Sequence, residues 1–141
     1  MFIYIIICLF FLILFGQSSF DKIINKNENI SWLKQHFNNS IIKNHVSLAF
    51  FTLTFLEFVT TILFLINILI VLPLETLSFS LKNTLGIFCL NDPLFAFYMS
   101  LVTFICLFFG QRVAKDYDGA KTITIYFTLN LLAVIYVIEY L

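Results

Sequence analysis

Between Val46 and Leu72 the chain carries one charge, Glu57, in a run otherwise made of aliphatic, aromatic and small hydroxyl or amide residues. A helix rises about 1.5 Å per residue and crosses the hydrocarbon core in about 20 residues, so this run is long enough to span a bilayer. Lipid offers the backbone no hydrogen-bond partners, and a helix is the form in which a single run of this kind satisfies itself. Glu57 then becomes the constraint on everything else. It lies about 16 Å along the helix axis from Val46, close to the midplane. A lone carboxylate at that depth costs a few kcal/mol or more unless it faces a partner or a wet cavity. Glu57 must therefore point into a bundle.

Three further apolar segments supply the rest of that bundle: Met1–Phe15, extendable through Gly16 to Phe20; roughly Leu94–Gly110, with an earlier start nearer Leu85 also open; and Thr122–Leu141. The pattern predicts an all-α integral membrane protein, a four-helix transmembrane bundle forming one domain over residues 1–141. Its helices are expected at about 1–20, 46–72, 88–110 and 120–141. Composition agrees, because 61% of residues are hydrophobic and 11% charged, against about 25% charged in soluble domains. The lipid bilayer is thus the first expected partner. A net charge of zero leaves no basic face for nucleic acid. The abundance of Phe, Ile, Asn and Lys reads as a coding bias rather than a function.

Local signals place the helix ends. Pro73 is expected to stop the second helix, since its ring and missing N–H disfavour continuation. Asn91-Asp92-Pro93 marks the start of the third, and Asp118-Gly119 the turn before the fourth, with Asp118 as a candidate cap. A short interfacial helix is expected at about 30–39. Ser31 is its candidate N-cap, with Trp32, Leu33 and Phe37 on one side and Lys34, Gln35 and His36 toward water. Gly16 and Ser18 also fit the small residues before a signal-peptidase cut, but no Lys or Arg precedes the apolar run, so a retained first helix is the expectation. With alternating helices, loops 17–45 and 111–121 share one side and hold Lys22, Lys26, Lys34, Lys43, Arg112, Lys115 and Lys121, against Lys82 on the other. The positive-inside rule places both loops in the cytoplasm.

Three constellations are candidates for chemistry. Leu53, Thr54, Thr60 and Thr61 share the helical face of Glu57, giving a polar stripe of threonines around the acid. Its plain reading is a buried acid held by hydrogen bonds as interhelical glue; its functional readings are a proton relay or a polar anchor for a lipophilic ligand. At the end of the first helix, Gln17, Ser18, Ser19, Asp21 and Lys22 cluster. Lys22 can reach inward to Glu57 or outward to headgroups, and outward is the commoner choice for such a stem. In Gly110–Lys121, Gln111 and Arg112 either face the same vestibule as Lys22 or belong to a solvated loop, where Arg112 and Asp116 have the spacing to pair. Cys8, Cys89 and Cys106 form no CxxC pair and read as packing residues. His36 and His45 lack companions for a metal site, and no P-loop, dinucleotide-binding, serine-hydrolase or zinc pattern is present. Asn67 and Asn130 are expected to act as interhelical glue.

Gly16-Gln17-x-x-Phe20-Asp21-Lys22, Phe55-Leu56-Glu57 and Gly110-Gln111-Arg112-Val113-Ala114-Lys115-Asp116-Tyr117-Asp118-Gly119-Ala120 together resemble the DoxX family of small four-helix bacterial membrane proteins. The first is similar to the family's glycine…phenylalanine…lysine pattern at the exit of helix one, the second to the acid of helix two, and the third to the loop before helix four. Two departures stand beside it: Val59, Thr60 and Thr61 follow the acid where family members place small glycines, and no Arg opens helix one. The resemblance implies a bacterial inner-membrane protein acting as an accessory subunit of a membrane redox, quinone-linked system. Quinone would be its ligand, with no intrinsic cofactor and no metal. It also implies Lys22 and Glu57 as polar residues of the bundle interior, and redox subunits as partners; a further copy of the chain is a separate candidate partner. Two alternatives stand beside this: a membrane module that binds a lipophilic small molecule or lipid, and a structural assembly factor. Glu57, Lys22, Gln17, Thr54, Thr61, Gln111 and Arg112 are the candidate site residues; a catalytic residue is not assigned.

Overall fold

The computed structural model describes residues 2–38, 40–71 and 92–140. Helix α1 is Phe2–Ile24, α2 is Lys26–His36, a 3-10 turn at Lys43–His45 leads into α3 at Val46–Val71, α4 is Pro93–Val113 and α5 is Tyr117–Tyr140. Four of these, α1, α3 (with its leading turn), α4 and α5, are long and apolar enough to cross a membrane. No strand occurs among the described residues. The fold is an all-α four-helix bundle of membrane-spanning type. Only 22–33% of the most apolar stretch of each span is buried, so most of the apolar surface is left for lipid to cover. Pro73, Lys82, Leu85, Cys89 and Asn91 lie outside the described residues.

Several helix ends differ from the sequence expectation, each for a local reason. α1 runs on to Ile24 because its polar end bonds in helical register: Ser19 Oγ donates to Gly16 O at 3.1 Å and Lys22 Nζ to Ser18 Oγ at 2.7 Å. α2 starts at Lys26, earlier than expected. Ser31 does not cap it, since its hydroxyl donates to Glu28 O one turn back at 2.8 Å. Asp21 ties the two helices together instead, accepting from Asn25 Nδ2 at 2.7 Å and Asn29 Nδ2 at 3.3 Å. α4 begins at Pro93, where Asp92 accepts from Leu94 N at 2.9 Å and the proline occupies a position that has no N–H to lose. α5 is capped by Asp116, whose Oδ1 accepts from Gly119 N at 2.9 Å. Asp118 is exposed and pairs with Lys121 at 3.1 Å.

α1 packs most extensively on α3, α5 on α4, and α3 joins the two halves through α4. Five phenylalanines fill the centre. Phe11 stacks on Phe64 with centroids 5.4 Å apart, Phe64 meets Phe97 edge-on at 5.1 Å, and Phe15 lies against Phe104 at 4.9 Å. All five are at most 2% exposed, so this aromatic centre is occupied by its own rings. Polar residues bridge the helices in small separate groups. Asn67 Nδ2 donates to Pro93 O at 3.0 Å, Thr60 and Thr103 hydroxyls sit 3.2 Å apart, and Asn130 Nδ2 donates to Ser100 Oγ at 2.6 Å and Phe97 O at 3.1 Å. This is the interhelical role expected for both asparagines.

Candidate functional site

Glu57 is 1% exposed, and what it meets is Lys22. The ammonium donates to both carboxylate oxygens, at 2.7 and 2.6 Å, and to Ser18 Oγ at 2.7 Å. Helix geometry explains how a lysine near a helix end reaches an acid near the midplane. Side chains lean toward the N-terminus of their own helix. α1 and α3 run antiparallel, with Gly16 beside Thr61 while Lys22 meets Glu57. Lys22 therefore leans deeper into the bundle and Glu57 leans toward the loops, and the two converge. The outward placement expected for Lys22 gives way because the carboxylate is in reach and the stem of the lysine is apolar throughout.

The threonine stripe does not solvate this carboxylate. Thr54 Oγ1 donates to Phe50 O at 2.8 Å, Thr60 Oγ1 to Leu56 O at 2.8 Å and Thr61 Oγ1 to Glu57 O at 2.8 Å. Each hydroxyl back-bonds one turn along its own helix, the usual outlet for threonine within a helix. Thr61 touches the site only through the backbone of Glu57. Gln17 is exposed on α1, away from the pair. Arg112 is also exposed, with its guanidinium 5.0 Å from the centre of the Tyr117 ring. It neither joins Lys22 in a vestibule nor pairs with Asp116. Gln111 packs against the turn at Gly119. The two loops do meet, but through His36 Nε2 and Asp116 Oδ2 at 3.9 Å.

The sequence places Ser18 in the polar cluster at the end of α1 without marking it as a site residue. It lies four residues before Lys22 on one helix, a spacing at which side chains meet, and that spacing was the available signal. Sequence reasoning also passed over an apolar pocket of about 530 Å³ between α2, α3 and α4, to which Lys22 contributes its ammonium stem and His45 its imidazole. Leu33 comes from α2 and Phe37 is the residue that follows it, Ala49 and Leu53 come from α3, and Cys106 and Phe109 from α4. Leu48 and Ile105 also line it and are more than half exposed, so on a membrane span they open the pocket sideways to lipid. No spacing within one helix encodes such a space, because several elements enclose it.

The lysine has three N–H groups, and three acceptor atoms receive them. The arrangement is thus a neutralised ion pair beside an apolar hollow, rather than a free cation or a free acid. It can hold α1 to α3, and it can present the pocket with a wall whose charge is already cancelled. No family model, no curated protein and no solved structure matches the chain.

Proposed function

We propose that this protein is a multi-pass membrane module that holds a lipophilic small molecule within its bundle. The observation that carries the reading is the apolar pocket of about 530 Å³ bounded by Lys22, open toward lipid and walled by aliphatic and aromatic side chains. Small-molecule pockets commonly measure about 300–1,000 Å³ and combine an apolar lining with few polar groups. The excess of basic residues in loops 17–45 and 111–121 supports a cytoplasmic side for both, and the resemblance to the DoxX family supports a bacterial inner membrane as the setting.

A second reading makes the module an accessory subunit of a quinone-linked redox system. It is supported by the resemblance to the DoxX family, since the two residues which that resemblance carries into the bundle interior, Lys22 and Glu57, bond to each other there. Quinone would then be the lipophile, and the electrons would come from a partner protein.

Purification in mild detergent, followed by identification of everything that co-purifies, tests both readings. The wild-type protein is expected to carry a defined lipophile in near-stoichiometric amount. Ala49→Trp, which fills the pocket, should elute at the same volume on size exclusion but without that molecule. If both proteins carry only bulk phospholipid in equal proportion, the module does not hold a ligand. A quinone together with a redox-enzyme subunit in the wild-type preparation would select the second reading.

A further inference from the structure

We infer that the pocket between α2, α3 and α4 takes an uncharged lipophile, a long-chain alcohol or quinone rather than a fatty acid or other anionic amphiphile, and that Glu57 sets this preference by cancelling the charge of Lys22. The inference rests on the proposed binding role and names its ligand class. A lysine at the wall of an apolar pocket would ordinarily recruit an acidic head, because a charge-assisted hydrogen bond in a dry site is the strongest contact it can offer. Here that capacity is already used. Both Glu57 oxygens lie within 2.7 Å of Nζ and Ser18 Oγ takes the remaining N–H at 2.7 Å. Glu57 itself does not line the pocket. It stands behind the lysine, 1% exposed, where an incoming acid would have to displace it.

Such displacement is doubly unfavourable. The Glu57 carboxylate would be left buried without its cation, and the incoming anion would add a second negative charge a few ångströms away. An uncharged head meets neither cost. It needs only a weak polar contact at the mouth, where His45 stands exposed, and the chain fills the apolar interior. Thr52, the remaining hydroxyl of the lining, already donates to Leu48 O at 3.0 Å and adds no strong competing donor.

Cys106 supplies the reporter, since its thiol lines the pocket and is partly accessible. Purified full-length protein in mild detergent is reacted with a lipophilic maleimide, and modification is read at the Cys106 peptide by mass spectrometry. Competitors are decylubiquinone, oleyl alcohol and oleate, compared in the same buffer. Decylubiquinone or oleyl alcohol should slow labelling of the wild type while oleate does not. In Glu57→Gln the lysine keeps its charge without a counterion, and the affinity for oleate should rise about tenfold or more. The paired variant Lys22→Met with Glu57→Leu carries neither charge and should not gain the oleate affinity of Glu57→Gln, which separates charge from any loss of fold. Oleate protecting the wild type as well as the uncharged probes do would overturn the inference and leave the pocket standing. Protection by none of the three would remove the binding role as well. Which uncharged probe protects better separates a quinone from a simple alcohol.

Discussion

Deleting the Glu57 carboxylate leaves the Lys22 ammonium with Ser18 as its remaining acceptor. Breaking a buried pair by removing one partner costs about 3–5 kcal/mol. The Lys22 side chain is 19% exposed and can swing toward the interface, which reduces the expected loss to about 1–3 kcal/mol. Glu57→Ala is therefore expected to lower the temperature at which the detergent-solubilised protein loses its monodisperse size-exclusion peak. Lys22→Met with Glu57→Leu should recover most of that loss, because a buried pair can be exchanged for apolar residues of similar volume at little or no cost. A paired variant no more stable than Glu57→Ala would show that the damage is not an orphaned charge. The acid at mid-helix was legible in the sequence, since no other residue in Val46–Leu72 carries a charge. Its partner was not. Lys22 sits where inward and outward reach are both open, and the choice depends on the register of α1 against α3, which neither helix encodes alone.

The junction of α4 and α5 shows how little decides where a helix begins. Asp116 and Asp118 both suit a cap by residue type. The structure uses Asp116, because Gly119 lets its carboxylate approach the backbone. A Cβ at Gly119 would lie 2.6 Å from Asp116 Oδ2 and 2.8 Å from Gln111 Cδ. Both atoms are side-chain atoms that can move, but moving the Asp116 carboxylate gives up its bond to Gly119 N at 2.9 Å. Gly119→Ala is thus expected to lose the cap, about 1 kcal/mol. At Gly16 the same addition meets Thr61 Cγ2 at 3.4 Å, an ordinary contact. Gly16→Ala should be neutral or slightly stabilising, with the better helix propensity of alanine in its favour. Thermal stability of the two variants side by side checks this; equal losses would mean that close approach of α1 to α3 at Gly16 matters as much as the cap. Asp92-Pro93 was readable as a helix start because proline admits few alternatives. Ser31 was misread as a cap because its hydroxyl has a second outlet within α2, and composition does not distinguish the two.

At the scale of the whole molecule, the four apolar runs made the spanning bundle legible, whereas the pocket was not, being a space between several elements rather than a property of any. The same scale carries a prediction of how the bundle lies in its membrane. His36 and Asp116 approach to 3.9 Å, so the α1–α3 connection and the α4–α5 turn occupy one end of the bundle. That end holds Lys26, Lys34, Lys43, Arg112, Lys115 and Lys121, all exposed. Lys22 is neutralised by Glu57 and drops out of the tally, yet the asymmetry persists without it. Basic residues flanking spans are retained on the cytoplasmic side. The orientation can be read with Lys115→Cys in a background where Cys8, Cys89 and Cys106 are serine. A membrane-impermeant maleimide should modify this position in inverted vesicles and leave it untouched in right-side-out vesicles. Labelling in right-side-out vesicles would place the basic end outside. The pocket mouth at His45 would then face away from the cytoplasm, and any partner delivering electrons or ligand would have to approach from the opposite side of the membrane.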